Sequence, residues 1–151
     1  MKSPREILRE IVANHLREIS LTGGYSNDLS NFVTLEPLRV AEQRDEPLVA
    51  VLIEKQTEAN DLAVFRTHRA TQFAVVVKAP ATVHNAQEVI DSLVDDVERA
   101  FEKRQGSFPV GYLFPKYIEM MPIPPEAAVG WVGAIIRYTT NIPIRNKEQS
   151  L

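Results

Sequence analysis

Residues Asn85–Gln105, NAQEVIDSLVDDVERAFEKRQ, constrain the fold more than any other stretch. Val89, Ile90, Leu93, Val94, Val97, Ala100 and Phe101 recur at three- and four-residue spacing, which lays one apolar stripe along an α-helix. Asn85 is placed to cap the first turn, Glu88 stands three residues on as in a capping box, and Gly106 follows as a stop. A helix of this length runs about 30 Å. That is enough to lie across a small sheet, and its stripe requires an apolar partner.

The strands that could supply the partner flank it. Phe32–Val40 reads as a strand that Pro37 confines to an edge or breaks. Pro47–Glu54 is apolar on both faces and belongs near the middle of a sheet, with a polar turn from Gln56 to Leu62. Arg66–Ala79 is apolar in its second half, Phe73–Val77, and polar in its first. As one strand it would extend about 45 Å. It reads either as a hairpin arm projecting beyond the body or as a bent strand with a solvated polar end. Tyr112–Met121 is a weaker strand interrupted or edged by Pro115, and Pro122–Gly130 reads as a loop because its prolines lack ladder donors. Trp131–Thr140 alternates cleanly, with Val132, Ala134, Ile136 and Tyr138 on one face.

A second helix opens the chain. Ser3 can cap it, Pro4 suits its first position and Glu6 completes a capping box. Ile7, Leu8, Ile11, Val12, Leu16 and Ile19 form its stripe, and Gly23-Gly24 is the expected stop. His15 lies beside the stripe, where a packed ring is favoured over a metal ligand.

The expected fold is α+β in the order α-β-β-β-α-β-β. A mainly antiparallel sheet of about four to five strands carries both helices on one face. Residues 1–145 form one domain and 146–151 a flexible tail. Strands apolar on both sides, such as Leu48–Ile53, require cover on the second face from a loop or from another subunit.

Charge and composition narrow the chemistry. A formal net charge of −3 gives no general attraction to nucleic acid or anionic membranes. With no cysteine there is no disulfide framework, thiolate metal site or thiol nucleophile. The first residues lack the apolar core of a signal peptide, and no apolar run reaches membrane-spanning length. The glycine pairs lack the spacing of phosphate loops, and no serine has the setting of a nucleophile.

Three constellations remain. Asp91, Asp95, Glu98 and Glu102 line one side of the long helix at spacings of four, three and four, with Asp96 beside them. Such a stripe is most simply a solvated face. Contact with a neighbour's arginines comes next, and a divalent-cation or acid–base site last. Arg66, His68 and Arg69, with Phe65 nearby, form a basic patch that could touch phosphate but lacks the aromatics for base stacking. Pro124, in the proline-rich loop, and Trp131, at a strand start, are candidates for packing or for a partner surface.

The chain resembles the tail terminator (tail completion, minor tail protein U-like) proteins of long-tailed bacteriophages and related prophages. The stretches that carry the resemblance are PREILREIVANHLREI, GGYSND, PLVAVLIE, TQFAVVVKAP, AQEVIDSLVDDVERAF and GWVGAIIRYTTNIPIR, spanning Pro4 to Arg145. It rests on element order, the Asp96-Val97 dipeptide and the tyrosine of the last strand. The proline run Pro122–Pro125 lies outside it.

The resemblance implies a hexameric ring on the end of the tail tube that stops tube growth and offers a surface for head joining. The implied partners are the chain itself, the tail tube protein and head–tail connector proteins. It implies no enzymatic activity, cofactor, membrane or sequence-specific nucleic acid. The implied location is the virion tail, assembled in the bacterial host cytoplasm.

Arg66, His68 and Arg69 on one copy against Asp91, Asp95 and Glu98 on the next would make contacts that close by rotation. The rival readings are another neck or head–tail joining protein, a metal-dependent enzyme using Asp91, Asp95 and His84, and a nucleic-acid module using residues 66–69.

Overall fold

The first helix starts where Ser3 stops being extended chain. Its hydroxyl accepts the Glu6 N–H at 3.2 Å and Pro4 takes the first helical position. The computed structural model describes residues 2–36, 47–81, 84–102, 108–123 and 130–145. Within them the chain runs α1 (Pro4–Arg17), β1 (Val33–Thr34), β2 (Leu48–Glu58), β3 (His68–Pro80), α2 (Ala86–Glu102), β4 (Lys116–Ile123) and β5 (Trp131–Pro143). The strands form one sheet in the order β1-β2-β3-β5-β4. The fold is α+β, as the periodicities predict.

Both helices lie on the same face. Leu8, Val12 and Leu16 of α1 and Ile90, Leu93 and Val97 of α2 join one buried cluster with Val49, Val51, Phe73, Val75, Val77, Ala134, Ile136 and Tyr138. These strand residues alternate along their strands and face one another across the ladders, Val75 opposite Ile136 and Phe73 opposite Tyr138. At one end of the core the packing is aromatic. The Tyr138 ring lies 4.4 Å from that of Phe101 and stacks on Phe73 at 5.5 Å. His15 is buried beside Phe101, and its Nε2–H donates to the Ala100 carbonyl at 2.9 Å. It packs its ring as expected, and it also satisfies a carbonyl in the last turn of α2.

On the opposite face a β-bulge at Ile53/Lys55 turns Glu54 toward its neighbours. Glu54 accepts from Gln72 Nε2 at 3.0 Å and from Arg137 Nε at 3.0 and 3.1 Å, and Arg137 Nη1 reaches Glu119 at 3.3 Å. The network ties β2, β3, β5 and β4 together. Leu48, Ala50, Ala74 and Val76 are also buried on this side.

Several expectations need correction. α1 ends at Arg17 rather than at Gly23-Gly24. Ile19 is buried, but its carbonyl takes the Leu29 N–H at 3.0 Å, so the backbone has already left the helix, and the glycines serve the turn that follows. β1 is two residues long, shorter than the expected first strand, and pairs with β2 in parallel; the other described pairings are antiparallel, so the sheet is mainly antiparallel as expected. Residues 37–40 of the expected first strand, Pro37 included, lie outside the described residues, as do Gly106 and the 146–151 tail.

β2 continues to Glu58, because Gln56, Thr57 and Glu58 find ladder partners in Thr71, Ala70 and Arg69. Pro122 and Ile123 belong to β4 rather than to a loop; at the sheet edge a missing N–H is tolerated. Asn85 sits at φ 61°, and its amide donates to Glu88 Oε2 at 3.4 Å instead of accepting from the helix as a simple cap would.

The arm reading also changes. β5 runs beside β3 as far as Pro143 opposite His68, so the polar half of β3 is flanked on both sides. Thr71 and Ile142 are fully buried there. What stands beyond the sheet is the link 59–67, with Leu62 85% exposed.

Candidate interaction groove

β4 is the sheet's outer strand, and its first seven residues, Lys116–Pro122, are exposed. Tyr117, Ile118, Met120 and Met121 are large apolar or aromatic side chains left in solvent. A second bulge between Tyr117 and Glu119 interrupts the ladder to β5. It leaves Tyr117, Met120 and Pro122 in register with Tyr138, Ile136 and Ala134, so they stand on the side that carries α2.

The acidic stripe of α2 faces this edge. A cavity of about 250 Å³ lies between them, floored by Ile90, Val94 and Ala134, edged by Met120 and Pro122, and walled by Asp91, Asp95 and Glu98. A second cavity of about 300 Å³ continues from Glu98 and is lined by Phe101, Glu102, Pro115, Tyr117 and Tyr138. Together they make a groove with an apolar floor and one carboxylate wall. Asp91, Asp95 and Glu102 are exposed, and Glu98 is half-buried. The Tyr117 hydroxyl is held above its usual pKa by burial and by Glu98, whose charge and hydrogen bond both act on it. Tyr138 is pushed up further, first by burial and then by the charges of Glu98, Tyr117 and Glu102.

Asp96 does not belong to this wall. It is fully buried on another side of α2, where its carboxylate accepts the backbone N–H groups of Ser26 and Asn27 at 3.1 and 2.8 Å and the Asn27 side chain at 2.8 Å. The GGYSND segment is thereby fastened to α2.

The basic patch lies elsewhere. Arg66 is exposed on the link after β2, its guanidinium 5.4 Å from the Phe65 ring centre. His68 is half-buried and its Nδ1 pairs with the Thr67 hydroxyl at 2.8 Å. Arg69 is half-buried within β3, opposite Glu58 and Ile142. Among the described residues no ion pair joins this patch to the acidic stripe. Trp131 is buried within its own chain, paired with Pro80 on β3. Pro124 lies outside the described residues. Among those residues, no group of three or more His, Asp or Glu could hold a metal ion, which leaves Asp91, Asp95 and His84 apart as ligands. No described helix is long and apolar enough to cross a membrane.

Tyr117 and Met120 are groove residues that the sequence does not mark, and Tyr138 is marked only as a member of the last strand's patterned face. Each reads locally as an ordinary strand residue. Only the order β3-β5-β4 brings them under the acidic face of α2.

No family model matches the chain, and no curated protein matches it significantly.

Proposed function

We propose that the chain is a structural subunit of a long-tailed phage or prophage. It is a tail terminator that assembles head to tail into a hexameric ring on the tube end, stops tube growth and offers the head a joining surface. The observation that carries the self-assembly part is β4, an outer strand with four large apolar or aromatic side chains in solvent beside a groove. Such an edge calls for a partner. The bulge at Tyr117/Glu119 and the donor-less Pro122 disrupt it as a template for open-ended strand addition. Association through the groove's side chains is then favoured over endless ladder growth, which suits a closed assembly. The resemblance along Pro4–Arg145 supplies the tail-terminator part of the reading.

Sedimentation and negative-stain imaging over a range of concentrations test it, alongside tail tubes polymerised with and without the chain. Rings and capped tubes of limited length are expected. Ile118→Lys, at an exposed position of β4, should shift the chain toward monomer with its unfolding midpoint unchanged. A wild-type chain that stays monomeric and leaves tube length unaltered would overturn the proposal.

A further inference from the structure

We infer that the pocket formed by Glu98, Glu102, Tyr117 and Tyr138 is an arginine-receiving site, filled by Arg66 of a second copy of the chain. The choice of occupant rests on the self-assembly reading above; the chemistry of the pocket does not. Tyr138 is 1% exposed and lines the cavity, yet among the described residues its hydroxyl has no hydrogen-bond partner. Buried hydroxyls are ordinarily satisfied, so this one calls for a polar group from outside. Glu98 and Glu102 lie one helical turn apart on the same wall, where like charges repel. Among the described residues neither has an ion-pair partner. The pocket therefore offers two carboxylates, an orphan hydroxyl oxygen and the rings of Tyr117 and Phe101. A guanidinium matches all three. It is planar, carries only donors and stacks on aromatic faces.

The other arginines narrow the source. Among the described arginines, Arg5, Arg9, Arg17, Arg99 and Arg137 are each bonded within their own chain, and Arg145, exposed as Arg66 is, lies past the end of β5. Arg69 is half-buried in the sheet. Arg66 is exposed on the link that stands beyond the sheet, and it shares that link with Leu62, which is 85% exposed. Leu62 and the Arg66 cation complement a pocket with an apolar floor at Pro115 and Phe101 and a carboxylate wall at Glu98 and Glu102, while Asp61 on the same link is engaged by the Ala63 N–H. Link and pocket share no residue, so the link of one copy can fill the pocket of the next head to tail, the kind of contact that can close a ring.

Charge exchange tests the pairing. Arg66→Glu alone, and Glu98→Arg with Glu102→Arg, should each weaken assembly about tenfold or more by sedimentation, and combining them should restore it. Arg66 is exposed, so its replacement leaves the fold intact. Wild-type assembly that neither change disturbs would overturn the pairing and leave self-association standing. A wild-type chain that never assembles would remove the second copy as the source. The pocket is then read directly, by titrating N-acetyl-arginine amide against the Tyr117 and Tyr138 ring signals in NMR, with the neutral citrulline analogue as control. Saturable shifts that are abolished by Glu98→Gln with Glu102→Gln, and absent with citrulline, support the site. No shift, or equal shifts with citrulline, overturns it.

Discussion

Asp96 Oδ2 accepts the Asn27 backbone N–H at 2.8 Å, across 69 residues of sequence, with the Asp96 side chain wholly buried. Together with the Ser26 N–H and the Asn27 amide, this gives one carboxylate three hydrogen bonds. Removing it would strand those donors, and a stranded buried donor costs about 1–3 kcal/mol. Asp96→Ala should therefore lower stability by about 3 kcal/mol in urea unfolding. Asp96→Asn should cost nearly as much, because its amide would turn a donor toward groups that only donate. A loss below about 1 kcal/mol would mean that the segment 25–28 is not held by this residue.

Gly133 is needed for close approach rather than for an unusual backbone angle. A Cβ there would lie 2.8 Å from the Val77 carbonyl oxygen on β3 and 3.0 Å from Ile123 Cδ1 on β4. The first neighbour is backbone held by the ladder and has little room to yield. Gly133→Ala should destabilise by about 2–3 kcal/mol, the usual range for overpacking. Thermal unfolding of the variant beside Gly111→Ala separates the causes. Gly111 has φ +94° and its Cβ would meet only a proline side chain at 3.3 Å, so its cost is backbone strain.

Periodic elements were legible because their pattern is local. The stripe of α2 and the alternation of Val132–Tyr138 each fix one buried face without reference to any other segment. The parallel β1, the early exit of Ile19 from α1 and the reach of β5 to Pro143 were not legible. Each depends on a partner far away: Val49, Leu29 and His68 respectively. The candidate site divides the same way. The spacing of Asp91, Asp95, Glu98 and Glu102 reveals the acidic wall. Which surface it faces is set by strand order, and the orphaned state of the Tyr138 hydroxyl is a tertiary fact. The long polar start of β3 reads locally as a possible arm because nothing nearby in sequence shows that β5 flanks it.

Arg137 joins Glu54 and Glu119 across the sheet face opposite the helices. Its side chain is 18% exposed and that of Glu54 27%, so the pair is partly shielded but still hydrated. A double-mutant cycle with Arg137→Met and Glu54→Gln should give a coupling of about 1 kcal/mol at low salt. Moving from about 0.05 to 1 M sodium chloride should reduce it. Coupling that is independent of salt would indicate a packing contact through the Arg137 stem, in which case Met121, whose Sδ lies 3.0 Å from Arg137 Nη1, is the residue to replace next.

Tyr138 gives a prediction with the opposite sign. Its hydroxyl is buried without a partner among the described residues, and burying an unpaired hydroxyl costs about 1–3 kcal/mol. Tyr138→Phe keeps the ring stacked on Phe73 and packed on Phe101, and discards only the orphan group. The isolated subunit should gain about 1 kcal/mol in urea unfolding at pH 7. Burial, with Glu98 nearby, also holds the hydroxyl's pKa well above its ordinary value of about 10. Below about pH 10 the folded and unfolded chains both keep the proton, and the group adds no pH dependence. Above it the unfolded chain releases the proton while the folded chain retains it, so stability falls as pH rises. Phenylalanine at this position should flatten that alkaline slope, leaving the smaller contributions of Tyr112 and Tyr117, which are raised in the same direction. A variant that is less stable at pH 7 and equally steep above pH 10 would show that the hydroxyl is satisfied in the folded chain.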